Sequence, residues 1–260
     1  MSFAAAALRG FAFRRRLLGW KIVPSLGVAL VPSLIALTFT LAPSHGSQVP
    51  TPYRVYGEYL APLCLYFVAP FVSMFTLLPL LGALYEKGAV GYLVTRPVPR
   101  RQVVFGLYQG GLLAMLPLMV LAAVLPALIL SPLSGGVELR FWVRRVAALA
   151  GLLGIAGAVY GALCLFLGFW SKKAILWALG LLIGWGSVAG SIPGALRSTS
   201  LHRYLFALMR GWLDVGNAWS GMFVPDPEPP GMMFSLGVLA GALAVFLLLA
   251  VGAMRRRDIL

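Results

Sequence analysis

The chain has 260 residues, of which 60% are hydrophobic and 11% are charged, and its mean hydropathy is +0.92. A soluble domain carries about 25% charged residues, so this composition excludes a water-exposed globular surface. The formal net charge of +14 would suggest a nucleic-acid ligand in a soluble protein. In a membrane protein, basic residues flank the spans and face the anionic lipid leaflet, so we do not expect nucleic-acid binding.

The charged residues are clustered and leave six long uncharged windows along the chain. Each window exceeds the roughly 20 residues that a helix needs to cross a hydrocarbon core, whereas β-barrel strands would alternate every second residue. We therefore expect an all-α polytopic membrane protein with six transmembrane helices, forming one domain over residues 1–260. The predicted spans are 22–41, 59–82, 103–130, 146–169, 174–193 and 231–253.

The basic residues predict an orientation with both termini in the cytoplasm. The inner segments are then 1–21, 83–103, 170–173 and 254–260, and they hold five, four, two and three Lys and Arg residues, or 14 of the 21. Five of the seven acidic residues lie outside. The positive-inside rule favours this arrangement. We expect a multi-pass protein of the plasma membrane, which is the inner membrane of a bacterium.

The segment 3–20 predicts a helix that lies on the cytoplasmic surface. Phe3, Phe11 and Leu18 share one helical face, and the neighbouring arginines can extend to the lipid headgroups. An apolar region and a small-residue cleavage site do not follow in signal-peptide order. We therefore expect the first span to remain as a membrane anchor.

Side chains for metal binding or catalysis are scarce. His45 stands alone in a Pro-, Ser- and Gly-rich outer loop, and Cys64 and Cys164 fall in predicted spans, where cysteine usually serves as a small apolar packing residue. The cores of the predicted spans contain no Asp, Glu, Lys, Arg or His, which disfavours a membrane enzyme or an ion-coupled transporter. A P-loop motif is also missing. We therefore expect no catalytic residue, no metal site and no cofactor bound by this chain.

Prolines and glycines recur inside the predicted spans. Prolines such as Pro62, Pro70 and Pro79 suit a moving helix but also occur in static bundles, so both interpretations remain open. Glycines four residues apart let helix backbones approach closely, either within the chain, which is the default, or at a dimer face. The pairs are Gly157 with Gly161, Gly180 with Gly184, Gly186 with Gly190, and Gly237 with Gly241.

An amphipathic helix is predicted over 201–214, before the last span. Charged residues occupy one face, and Ser200 is available as an N-cap. We expect this helix to lie in the outer interface. Its apolar face carries Leu201, Tyr204, Leu205, Leu208, Met209 and Trp212.

The most distinctive segment is the cytoplasmic loop 83–102 between the second and third predicted spans. The loop is longer than a plain connection requires, and it has room for a short surface helix that ends before Pro97. An acidic residue, Glu86, and Gly88 come first in this loop. They are followed by the apolar Tyr92-Leu93-Val94 and by the turn Pro97-Val98-Pro99-Arg100.

This order and spacing resemble the loop of ABC-2 type ABC transporter permeases, the transmembrane subunits of ATP-driven transporters. The resemblance extends to the predicted architecture: an N-terminal interfacial helix, six spans, a re-entrant or interfacial element before the last span, and a basic C-terminus. Those basic residues are Arg255, Arg256 and Arg257.

The resemblance implies a function and a set of partners. The loop would form a coupling helix in a groove of a separate cytoplasmic ABC ATPase subunit, which would bind ATP and Mg. Two permease subunits, either two copies or a copy and a paralogue, would enclose a translocation path, and export is the implied direction. The implied interface residues are Glu86, Gly88, Leu93, Val94, Pro97, Arg100 and Arg101.

Two alternatives stay open. The loop could be an ordinary solvated connection. From a different functional class, the chain could be a membrane scaffold or assembly factor without transport activity. A neighbouring gene for a P-loop ATPase would argue against the scaffold.

Overall fold

The structure is a computed structural model that describes residues 10, 22–41, 51–86, 99–134, 138–171, 173–185, 198–213 and 230–257. Over these residues the chain is helical and contains no strand, which confirms the all-α class for this part. The predicted interfacial helix 3–20 lies outside the described residues except for Gly10, so it stays a prediction.

The described part of the chain forms seven helices in sequence. Helix α1 is Val23–Leu41, and α2 continues from Pro52–Arg54 to Ala69–Glu86 through segments of different helix type. Helix α3 is Arg100–Leu130, followed by the 3-10 turn Ser131–Ser134, and α4 is Leu139–Trp170. Helix α5 consists of Ala174–Leu179 and a π-helical Gly180–Trp185, α6 is Leu201–Leu213, and α7 is Met232–Arg257.

Five of these helices, α1 to α4 and α7, are long and apolar enough to cross a membrane. They correspond to five of the six predicted spans. The remaining predicted span, 174–193, begins with α5, whose described part ends at Trp185. The rest of that span lies outside the described residues, so the count of six and the orientation remain predictions.

The helices extend beyond the predicted spans because charged residues are part of their outer turns. Helix α2 begins at Pro52, seven residues before the predicted span, and Arg54 Nε lies 3.3 Å from Glu58 Oε1, one turn along. In the first turns of α4, the Arg145 guanidinium donates a hydrogen bond to the Tyr53 carbonyl at 3.2 Å. It also lies 4.6 Å from the centre of the Phe141 ring. Both arginines interrupt the hydropathy pattern: Arg54 pairs within α2, and Arg145 connects the start of α4 to the start of α2.

Two π-helical segments interrupt α2, Val55–Leu60 shortly before Pro62 and Cys64–Val68 shortly before Pro70. Ala61, which precedes Pro62, donates its N–H to the carbonyl of Tyr56, and Ala69, which precedes Pro70, donates to that of Cys64. A proline has no N–H and clashes with the carbonyl four residues back, so a five-residue spacing relieves the backbone there. Helix α2 therefore accommodates both prolines without ending.

Helix α4 is the centre of the bundle: 78% of an 18-residue apolar window of this helix is buried, against 22% of such a window of α1. It packs against α2, α3, α6 and α7. Its glycines make this possible, since a Cβ on Gly161 would lie 3.0 Å from Leu77 Cδ1 of α2 and 3.1 Å from Met115 Cε of α3. The Gly157 and Gly161 pair thus packs within the chain, as the default interpretation predicts.

Two of the other glycine pairs do not contact the bundle in this way. A Cβ on Gly180, Gly184, Gly237 or Gly241 would meet open space. For these two pairs the dimer-face interpretation stays open, and the pair Gly186 and Gly190 lies outside the described residues.

Replacing Gly161 by Ile should destabilise the protein by about 1–3 kcal/mol, because a branched side chain cannot fit between Leu77 and Met115. Gly27→Ile is the matched control, since the same change in α1 meets open space. Thermal unfolding of the purified protein in detergent measures the difference. Equal melting temperatures for the two variants would contradict the central position of α4.

Candidate functional site

Both ends of the predicted coupling loop are helix ends. Helix α2 ends at Glu86, and α3 begins at Arg100 directly after Pro99, whose backbone is extended at φ −63° and ψ 129°. The Gln102 N–H donates to the Pro99 carbonyl at 2.8 Å and closes the first turn. The other predicted interface residues of this loop lie outside the described residues. They are Gly88, Leu93, Val94 and Pro97.

The first turn of α3 carries two cations and no acidic residue. Arg100 is half-buried and Arg101 is exposed. The N-terminus of a helix has a partial positive charge, which favours anions and disfavours arginine. The helix dipole therefore does not favour this pair, and the exposed Arg101 suits recognition of an anionic surface.

The loop ends are connected to the centre of the bundle. Leu77 of α2 fits against Gly161 of α4, and a Cβ on Gly111 of α3 would overlap this leucine side chain. The Tyr108 hydroxyl of α3 donates to the Ala158 carbonyl of α4 at 2.8 Å. A displacement of the loop would therefore move two helices that share contacts with α4.

The predicted amphipathic helix forms as α6, Leu201–Leu213. Tyr204 and Leu208 are buried and Trp212 is half-buried, so the apolar face is covered by the chain itself. The Tyr204 hydroxyl donates to the Ser198 carbonyl at 2.8 Å. In this helix only Gly211 is exposed.

Contacts at the two ends of α6 define its direction. At its start, the His202 ring lies 5.7 Å from the Tyr160 ring of α4. At its end, the Trp212 ring lies beside Gly151, where a Cβ would be 3.5 Å from Cζ3. From Tyr160 to Gly151 is nine residues, or about 14 Å of helix, so α6 runs antiparallel along α4.

The start of α6 is inserted deeply into the bundle. Tyr66 and Tyr160, which contact it, are each at least ten residues, or about 15 Å, from the nearer end of their helices. A helix lying flat on the bundle surface would not make these contacts. Location at the outer interface remains a prediction for the far end of α6, at Trp212.

A cluster of aromatic rings surrounds the inserted histidine. The His202 ring stacks on Tyr66 of α2 with ring centres 4.6 Å apart and an interplanar angle of 3°. Phe206, one turn further along α6, lies 6.4 Å from the same tyrosine. Tyr66 belongs to the π-helical segment Cys64–Val68, so the widened helical turn next to Pro70 presents the ring that receives the imidazole.

Burial controls the charge of this histidine. The side chain of His202 is 5% exposed, and burial lowers the pKa of its imidazole from 6.5 to about 4. At neutral pH the ring is therefore uncharged, and one nitrogen can donate a hydrogen bond while the other accepts.

The Tyr160 hydroxyl is buried and has no hydrogen-bond partner among the residues that the structure describes. A buried hydroxyl without a partner costs about 1–3 kcal/mol. The cluster, defined by Tyr66, Tyr160, His202 and Phe206, thus combines uncharged hydrogen-bonding groups with apolar walls. Among the described residues, no group of His, Cys, Asp and Glu is arranged to hold a metal ion.

Sequence reasoning missed this histidine. Helical spacing offered a signal, because His202 shares a face with Leu205, Met209 and Leu213, all of which are buried. The absence of ionisable residues from the predicted spans is compatible with this finding, since α6 brings the imidazole into the bundle from outside those spans.

Comparison with known proteins adds no relative: neither a protein-family model nor a curated protein matches the chain. The resemblance to ABC-2 permeases therefore depends on the loop motif and the predicted architecture.

We expect acid to destabilise the protein through His202. The unfolded chain binds a proton near pH 6.5 and the folded one only near pH 4, so stability should fall by up to about 3 kcal/mol as the pH drops across this range. Melting temperatures at a series of pH values measure the effect. His202→Phe should remove this part of the pH dependence, and His45→Phe, which replaces the other histidine, should leave it. The same pH profile of melting temperature in His202→Phe and the wild type would refute a role of His202 in acid destabilisation.

Two tyrosine variants test the unpartnered hydroxyl. Tyr160→Phe should cost no stability, because no hydrogen bond is lost and a buried polar atom is removed. Tyr108→Phe should cost about 1 kcal/mol, because its hydroxyl bonds to Ala158. Chemical or thermal unfolding in the same detergent compares them. An equal loss in both variants would indicate that Tyr160 has a partner after all.

Proposed function

We propose that the chain is the transmembrane permease subunit of an ATP-driven ABC exporter. The loop 83–102 couples it to a separate cytoplasmic ATPase subunit, which binds ATP and Mg. One observation carries the proposal: the segment that resembles the coupling loop connects two long apolar helices, α2 and α3, that both pack on the central helix α4.

Close contacts between α2 and α4 allow a movement of the loop to reach the centre of the bundle, as a coupled subunit requires. On α2, Leu81 fits against Gly168 of α4, and one turn earlier Leu77 fits against Gly161. These leucines are five and nine residues before Glu86, the last residue of α2. A push on the loop would therefore reach α4 within about three turns of helix, over a distance of roughly 14 Å.

The positive charges at the end of the loop would contribute to recognition of the ATPase subunit. Arg100 and Arg101 lie where the helix dipole disfavours cations. In the proposed complex they form the charged rim of the coupling element, around apolar contacts from Leu93 and Val94. Charged rims chiefly set association rate and orientation, and the apolar centre contributes more of the affinity.

A second permease subunit, a copy of the chain or a paralogue, completes the translocation path in this proposal. The outward-facing glycines of α5 and α7 support close approach of another helix there. They are Gly180, Gly184, Gly237 and Gly241.

Charge reversal at the second residue of α3 tests the ATPase interface. We expect Arg101→Glu to reduce co-purification of an ATPase subunit several-fold, because it reverses a charge on the rim. The tagged chain is purified from membranes of its native host, and polypeptides that purify with it are photolabelled with 8-azido-ATP. Leu93→Ser should have a larger effect, since it removes an apolar contact at the centre.

Arg140→Glu is the matched control, because Arg140 is also an exposed second residue of a long helix, α4. It lies on the opposite side of the membrane in the predicted orientation, so labelling should equal that of the wild type. Unchanged labelling in both loop variants would sink the coupling role, and no labelled polypeptide in the wild type would favour the scaffold alternative.

A further inference from the structure

A tight turn joins α4 to α5 and fixes the positions of several exposed groups. Ser171, the residue after α4, has an extended backbone, and its N–H donates to the Leu167 carbonyl at 2.9 Å. The Ser171 Oγ accepts a hydrogen bond from the Lys173 N–H at 3.1 Å. The backbone carbonyl of Lys173 in turn accepts from the Leu176 N–H at 3.1 Å. These hydrogen bonds fix Ser171 and Lys173, the described residues between the two helices.

Two tryptophans flank this turn and remain exposed. Trp170 ends α4 and is 54% exposed, and Trp177 in the first turns of α5 is 49% exposed. Their ring centres lie 5.5 Å apart, and Trp170 also stacks on Phe166 at 6.1 Å. Ile175 and Leu176 beside them are exposed as well. Indole rings prefer the boundary between headgroups and acyl chains, so this apolar surface with polar N–H groups fits a membrane interface.

The segment that contains the turn carries positive charge and no acidic residue. Lys172 and Lys173 are adjacent in sequence, and no acidic residue occurs between Glu138 and Asp214. Lys173 is exposed, and its ammonium group makes no ion pair with any carboxylate that the structure describes. In the predicted orientation the turn lies on the cytoplasmic side, where the leaflet carries anionic lipids.

We propose that this turn is a binding site for an anionic phospholipid of the cytoplasmic leaflet. The Lys173 ammonium group binds the phosphate, and the Ser171 hydroxyl can donate to a phosphate oxygen while it accepts from the Lys173 N–H. Lys172 adds a second positive charge next to this group in the sequence. Trp170, Trp177 and Leu176 lie against the upper part of the acyl chains. A zwitterionic lipid offers the same chains but carries its own cation, so it gains less from the lysines. This site does not depend on the proposed transport function.

The test uses the full chain labelled with 5-fluorotryptophan in lipid nanodiscs. Trp170→Phe and Trp177→Phe assign the two ¹⁹F resonances among the seven tryptophans. Phosphatidylglycerol with a headgroup-proximal spin label should broaden both resonances more than phosphatidylcholine with the same label at equal mole fraction. The preference should be about fivefold for each lysine that contacts the lipid.

Two double variants that each remove two positive charges distinguish a local lipid site from a general attraction of the basic protein to anionic lipid. Lys172→Gln with Lys173→Gln should remove the preference for phosphatidylglycerol. Lys21→Gln with Lys87→Gln removes the other two lysines and should keep it. Equal broadening by the two lipids in the wild type would overturn the proposal. The proposal would also be overturned if the preference for phosphatidylglycerol survived in the variant that lacks Lys172 and Lys173. Equal loss of the preference in the two double variants would overturn it too.

Discussion

Gly157, Gly161 and Gly168 leave α4 without side chains at three levels, and long flexible side chains from α2 and α3 fill the space. In lipid there is no hydrophobic force to bring helices together, because acyl chains are as apolar as leucine, so association depends on close packing. Each fitted side chain fixes the register of its helix against α4. Consequently α2 and α3, which bracket the proposed coupling loop, are held by the same central element.

Hydrogen bonds from tyrosine hydroxyls to backbone carbonyls also connect neighbouring helices. The Tyr56 hydroxyl of α2 donates to the Ala123 carbonyl of α3 at 3.0 Å, and Tyr108 of α3 reaches Ala158 of α4. A carbonyl oxygen has two lone pairs, so it can accept from a tyrosine hydroxyl in addition to a helical N–H. Tyr160 makes no such bond to any residue that the structure describes. The imidazole beside it remains acceptable in an apolar setting only because burial keeps it neutral.

Hydropathy predicted the long helices well because the five candidate spans are as apolar as lipid requires, and their positions follow the uncharged windows. It could not predict the helix ends, since Arg54, Glu58 and Arg145 form contacts that depend on neighbouring turns and helices. The π-helical turns of α2 differ from α-helix in their backbone hydrogen-bond spacing. The periodicity of apolar residues does not reveal that difference. His202 was not predicted because the amphipathic pattern of 201–214 indicates a helix at the outer interface, not one whose start is inserted into the bundle. The coupling residues Leu93 and Val94 remain a prediction from motif order alone.

The position of the imidazole also bears on how the proposed coupling would reach the outer half of the bundle. Its two ring partners belong to different helices, Tyr66 to α2 and Tyr160 to α4, so stacking at 4.6 Å and contact at 5.7 Å can coexist only at one separation of those helices. Tyr66 lies in a π-helical segment of α2, a helix type that often occurs at functional sites. If the loop displaces α2 against α4 beyond the contacts of Leu81 and Leu77, the ring contacts at the start of α6 must change as well. Because α6 runs along α4 to Gly151, that helix then carries the displacement away from the loop, toward the far side of the bundle.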